Sequence, residues 1–203
     1  MITIYNFPRG ARGVRLFWVC EEMGLPYRAE AVNFPPSAEY KALNPMGSVP
    51  FLTDDHGAAI NESVAMMLYV AERYGPTPLL PAKTDPAFAR VIQMTVFGET
   101  TMGAYMNPLM MAKFAAPEGQ KVNWLTGALE GRLGDALNFV AGVLGTNEYL
   151  AGASFTLADI SVITAFDMWT GALGKAVPAA LTAWQARVKA RPAYAKAAAA
   201  QKR

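Results

Sequence analysis

The spacing of apolar positions changes character near residue 80. Before it, strand-length apolar runs alternate with helical stretches; after it, strand signals vanish. Ile2-Thr3-Ile4-Tyr5 is β-rich and is broken by Asn6-Phe7-Pro8-Arg9-Gly10. Ala11–Met23 reads as a helix stopped by Gly24 and Pro26. Its residues Val14, Leu16, Phe17, Trp18, Val19, Cys20 and Met23 cover more than one face, which predicts a helix buried on two sides. Tyr27–Val32 is a second strand and Ser37–Leu43 a short helix, ended by Pro45 and Gly47. Val49-Pro50-Phe51-Leu52 is a short strand with proline at its head. Asp55-His56-Gly57 supplies turn chemistry, and Ala58-Ala59-Ile60 returns antiparallel. Asn61-Glu62-Ser63 offers capping side chains to a helix over Val64–Ala71.

This order of strands and helices predicts an α/β, thioredoxin-like first domain, with a parallel pair followed by an antiparallel hairpin. Gly75-Pro76-Thr77-Pro78-Leu79-Leu80-Pro81 is the linker. The predicted division is a first domain over residues 1–78, a linker over 79–84 and an all-α helical domain over 85–203. Within the second part, Asp85–Phe114 is one long helical stretch, kinked or broken near Pro108. Glu118–Leu144 is another, with Leu125, Leu129, Leu133, Leu137, Val140 and Leu144 at spacings of four and three. Thr156–Leu173 and Pro178–Val188 follow, and Arg191-Pro192 opens a final alanine-rich helix. In Phe155-Thr156-Leu157-Ala158-Asp159-Ile160, Thr156 and Asp159 form a capping box and Phe155 and Ile160 a hydrophobic staple. Asp159 is therefore structural.

Composition narrows the classes. With 203 residues, 53% hydrophobic and 17% charged, the chain is globular and long enough to bury a substantial core. The net charge is only +2, and the basic tail Lys189, Arg191, Lys196, Lys202 and Arg203 reads as a solvated helix face, not a nucleic-acid footprint. A single cysteine, Cys20, excludes an internal disulfide. It stands mid-helix among apolar residues and reads as packing. His56 is the only histidine and has no partners at metal-ligand spacing. No nucleic-acid, membrane or metal partner is expected, and the chain reads as cytoplasmic.

The stretch Asn44-Pro45-Met46-Gly47-Ser48-Val49-Pro50-Phe51-Leu52, followed ten residues on by Glu62-Ser63, resembles the glutathione-site core of the glutathione transferase superfamily. The Thr156–Asp159 box, about a hundred residues later, resembles a second signal of the same family. The resemblance covers essentially the whole chain. It implies a cis peptide at Val49-Pro50, a Val49 backbone that pairs with the cysteinyl unit of glutathione, and a carboxylate site at Ser63. Glu62 would take the α-amino group, while Ser48 and Arg12 lie near the glycyl carboxylate or the thiolate.

Members with a serine or cysteine activator place it just after the first strand, whereas Pro8-Arg9-Gly10-Ala11 has neither. Tyr5, four residues before Arg9-Gly10, is the remaining catalytic candidate, with an ordinary core tyrosine as the competing reading. Arg9 is a further source of positive charge, and Arg15 is expected to face solvent or an acidic neighbour. Tyr105 and Met106, in a stretch crowded by Met94, Met102, Met110 and Met111, are expected to line a site for an apolar electrophile. The implied function is a homodimeric glutathione transferase, dimerised through residues 85–144 and the Met66–Tyr74 face. It would join glutathione, its co-substrate, to small apolar electrophiles. The alternatives are a glutathione-binding or protein-interaction module of the same fold, or another glutathione-dependent reaction: peroxide reduction, isomerisation or dehalogenation.

Overall fold

The computed structural model describes residues 1–8 and 12–201. Arg9, Gly10 and Ala11, with Lys202 and Arg203, lie outside the described residues, and so does the expected helix start at Ala11. The chain divides into two compact units. One comprises Met1–Leu80 together with the residues from Lys189 on; the other comprises Pro81–Val188.

The first unit is built on four strands, β1 (Ile2–Asn6), β2 (Tyr27–Ala31), β3 (Phe51–Asp54) and β4 (Ala59–Ile60), in the order β2-β1-β3-β4. β1 pairs parallel with β2, Ile4 opposite Ala29, and antiparallel with β3, Ile4 opposite Leu52. The helices of this unit are α1 (Val14–Met23), α2 (Ala38–Leu43) and α3 (Ser63–Arg73). Alternation along β1 puts Ile2, Ile4 and Asn6 on the buried face and Thr3 and Tyr5 on the other. α1 buries Arg15 through Cys20 without interruption, as an apolar circumference requires. It ends in a Schellman turn: Gly24 takes φ +63°, its N–H reaches the Glu21 carbonyl, and the Leu25 N–H reaches Cys20 at 2.9 Å. Burial, with Glu21 adding to it, pushes the Cys20 thiol up to about 12, so it stays protonated and serves as packing. α3 buries Met66 and Met67 completely, which removes both from the expected dimer face.

The β3–β4 turn is held by one carboxylate. Asp54 Oδ2 accepts the hydroxyls of Tyr69 at 2.6 Å and Tyr74 at 2.7 Å, and Oδ1 accepts the N–H groups of His56 and Ala58. Burial alone would raise this carboxyl, but the four donors outweigh it and hold it well below the usual carboxylate range. A depressed native pKa contributes stability that is complete above the unfolded value, ~3.9, and is lost as pH falls below it. Asp54→Asn should therefore flatten the acid limb of a stability-versus-pH curve below about pH 4. An unchanged acid limb in urea titrations would sink this reading.

The second unit holds α4 (Phe88–Thr100), α5 (Met102–Ala115), α6 (Trp124–Leu144), α7 (Leu157–Asp167) and α8 (Ala179–Lys189). The break in the first long stretch falls at Thr101, not near Pro108, which sits inside α5. Thr100 donates back to the Val96 carbonyl at 3.1 Å, a bond that bends helices. α6 starts at Trp124, later than Glu118, because Asn123 and Thr126 form a capping box there. Glu118–Gln120 is a separate 3₁₀ turn. α7 is buried from Leu157 to Phe166, so it is the axis of this unit. It crosses α4 closely: Ser161 donates to the Thr95 carbonyl at 2.6 Å, and Gly98 faces the Ser161 backbone. Beyond Asp167 the helix widens into a π-helical turn, Met168–Ala172.

The head of α7 matches the expected box. Asp159 Oδ2 accepts the Thr156 N–H at 3.0 Å, while Oδ1 accepts Leu150 N–H at 3.0 Å and Trp184 Nε1 at 2.9 Å. The final helix, α9 (Pro192–Ala200), belongs to the first unit, whereas the division expected from the sequence placed it with residues 85–203. It packs on α1 through Trp18 and Tyr194, whose rings lie 4.8 Å apart. Arg191 Nε and Nη2 grip the two oxygens of Glu22 at 2.6 and 2.7 Å, and Trp18 Nε1 donates to the same carboxylate.

Candidate functional site

The stretch from Asn44 to Ser63 is positioned from behind by buried polar groups. Asn44, with no exposed surface, and Tyr40 both donate to the Ser48 carbonyl, at 2.8 and 2.6 Å. Gly47 takes φ +61° to make the turn that brings Ser48 there. The next peptide, Val49-Pro50, is cis, as the family resemblance implied. Val49 packs beside the Val32–Tyr40–Phe51 cluster, and no hydrogen bond engages its backbone among the described residues. Ser48 itself is exposed and donates from its hydroxyl to Asn61 Oδ1 at 3.2 Å.

Glu62 precedes α3 with φ +71°, the single described non-glycine residue in the left-handed region. A bulky side chain there is costly and persists only where the surroundings impose it. Glu62 occupies the N-cap position but makes no side-chain cap, correcting the expected capping role for this tripeptide. The first-turn N–H groups of α3 are thus left for another acceptor. Glu62 is exposed, and Ser63 is buried beside it.

Of the two placements expected for Arg15, solvent or an acidic neighbour, the structure rules out solvent. Arg15 is 1% exposed, and its Nη1 donates to Ser63 Oγ at 2.8 Å. Solvent was never open to it, because α1 has no exposed face along Arg15–Cys20. That uninterrupted apolar surround was the signal in the sequence. Asn6 escaped sequence reasoning in the same way. It shares the buried face of β1 with Ile2 and Ile4, its Oδ1 has no hydrogen-bond partner among the described residues, and an added Cβ at Gly13 would sit 2.4 Å from its side chain.

Tyr5 lies on the opposite face of β1. Its ring packs 5.8 Å from both Tyr40 and Phe51, in the cluster that also holds Val49. It is half-buried and borders a cavity of about 290 Å³ that Glu30, Ser37 and Glu39 also line. No partner meets its hydroxyl among the described residues. Arg12 is half-buried in the turn before α1, and its carbonyl accepts the Arg15 N–H at 3.1 Å. Tyr105 and Met106 are on α5 of the other unit. Met106 is completely buried and so corrects its assignment as a ligand-facing residue, whereas Tyr105 is half-exposed. Among the described residues there is no cluster of histidine, cysteine or carboxylate groups able to hold a metal. No described helix is long and apolar enough to cross a membrane.

The family model for the glutathione S-transferase N-terminal domain matches residues 13–73, and that for the C-terminal domain matches residues 100–192. Glutathione S-transferase stcT of Emericella nidulans is 30% identical over 168 residues, 79% of this chain and 73% of its own length. Glutathione S-transferase 1 of Schizosaccharomyces pombe is 27% identical over 169 residues, 80% of this chain and 73% of its own. The glutathione transferase URE2P8 of Phanerochaete chrysosporium, whose crystal structure contains oxidized glutathione, aligns with a TM-score of 0.87 at 25% identity. The alignment covers 99% of this chain and 95% of that one.

Proposed function

The chain belongs to the glutathione transferase superfamily, and from that premise we propose that it binds glutathione along Asn44–Ser63 and transfers its thiolate to small apolar electrophiles. The observation that carries this reading is the state of Val49. Its N–H and C=O are unbonded among the described residues, while the preceding Ser48 carbonyl is fixed by two donors. An extended peptide pairs with such a backbone as a strand does. The γ-glutamyl carboxylate goes to Ser63 and the uncapped first turn of α3, where the helix dipole favours an anion. Glu62, exposed and pinned in place, takes the α-amino group as a charge-assisted bond. Arg12 and Ser48 are assigned to the glycyl carboxylate.

The thiol is mostly protonated at neutral pH unless the protein lowers its pKa from about 8.5. In this reading Tyr5 donates its unpartnered hydroxyl to the sulfur, since it borders the same aromatic cluster as Val49. The competing reading, a glutathione-binding module without chemistry, draws on the same cluster: the Tyr5 ring is packed like a core residue. Tyr5→Phe separates them, because it keeps the ring and removes only the donor. The expected result is a bound-thiol pKa raised by about one unit, read as thiolate absorbance against pH, and an aromatic-chloride conjugation slowed about tenfold at neutral pH. Wild-type protein that binds glutathione without lowering its thiol pKa would favour the binding module. If wild-type protein does lower it and Tyr5→Phe matches wild type, activation belongs elsewhere.

A further inference from the structure

We infer that Arg15 is a positioning residue for the ligand carboxylate, acting through the Ser63 hydroxyl; this rests on the glutathione reading above. A serine hydroxyl has one proton to give and two lone pairs with which to accept. In this structure Arg15 Nη1 occupies one lone pair, at 2.8 Å. A guanidinium has no acceptor, so the Ser63 proton cannot return along that line and is directed to another acceptor. Facing a carboxylate at the head of α3, the hydroxyl is set as a donor before the ligand arrives. Polarisation by the cation strengthens the bond it gives, because hydrogen bonds in a chain reinforce one another in a low-dielectric setting.

Arg15 is 1% exposed and Ser63 3% exposed, so the bond between them lies out of water between α1 and α3, where such a bond is little weakened by competing water. Arg15 does not touch the ligand anion in this scheme.

The test uses calorimetric titration of four proteins: wild type, Arg15→Met, Ser63→Ala and the double variant. Each is titrated with glutathione and with an analogue whose γ-glutamyl α-carboxylate is a carboxamide. Arg15→Met should weaken glutathione binding about tenfold and the carboxamide analogue less than about twofold. The loss should vanish in the Ser63→Ala background, since the route through the hydroxyl is then already gone. Equal losses for both ligands would assign Arg15 to packing and overturn the inference. So would a tenfold loss that persists without Ser63. Wild-type protein that fails to bind glutathione overturns the underlying reading and this one with it; wild type that binds, with Arg15→Met binding equally well, overturns this one alone. Should Arg15→Met not fold, Arg15→Lys carries the comparison. It keeps the charge but not the fork, and it should fall between wild type and Ser63→Ala for glutathione only.

Discussion

Asp159→Ala is expected to lower the unfolding free energy by about 3–5 kcal/mol, among the largest single losses available in this chain. Four buried donors from three residues converge on that carboxylate: the N–H groups of Thr156 and Leu150, the Thr156 hydroxyl and the indole of Trp184. Each would be left unsatisfied, at ~1–3 kcal/mol apiece, and the losses are not fully additive because the donors share one acceptor. A helix cap alone is worth only ~0.5–2 kcal/mol, so the size of the effect distinguishes a cap from a three-way junction. Burial raises the Asp159 carboxyl above its usual value despite these bonds. A raised native pKa in an acid costs stability as pH rises through the window from the unfolded to the native value. Asp159→Asn retains one acceptor and should cost less than Asp159→Ala. Urea unfolding monitored by tryptophan fluorescence measures both, and a loss under about 1 kcal/mol for Asp159→Ala would remove the junction from the account.

The second large effect concerns the crossing of α4 and α7. A Cβ added at Gly98 would lie 2.5 Å from Ser161 Oγ, 2.7 Å from its carbonyl carbon and 2.8 Å from its carbonyl oxygen. A side chain can rotate away, but the α7 backbone cannot, so the two helices must separate or strain. Gly98→Ala should cost about 1–3 kcal/mol and lower the melting temperature by about 3–10 °C. Gly131→Ala is the internal control. It sits in α6 with nothing within 4 Å of the added Cβ, and it gains helix propensity of up to about 1 kcal/mol. Scanning calorimetry should show the two substitutions moving in opposite directions. A Gly98→Ala protein as stable as wild type would mean that the crossing is looser than these distances.

Features encoded within a few residues are legible in the amino-acid sequence itself. The Asp55–Gly57 turn and the Thr156–Asp159 box each depend on neighbours along the chain, whereas the strand expected over Val49–Leu52 is displaced to Phe51–Asp54. Helix ends are less legible, since Asn123 caps α6 and displaces its start from the expected Glu118. Proline draws attention to residue 108, although the helix breaks at Thr101, where back-bonding by Thr100 has no strong sequence signal. The site divides along the same line. Ser48–Pro50 and Glu62–Ser63 stand out as a local pattern. Arg15 does not, because its meaning depends on a serine 48 positions away. The strained φ of Glu62 and the burial of Asn6 are likewise set by packing that no local rule encodes.

The clasp between Arg191 and Glu22 spans 169 positions of chain. Synthesis proceeds from the N-terminus at ~5–20 residues per second, so the Glu22 carboxylate and the Trp18 ring precede their partners by roughly 10–30 s. For that interval the nascent first unit carries an uncovered apolar flank on α1, the kind of surface that recruits chaperones or mispairs. Bringing the flank together with α9 costs loop-closure entropy that grows only logarithmically with the intervening length. The delay is therefore mainly a matter of timing, and the earliest-made part of this protein is among the last to be finished.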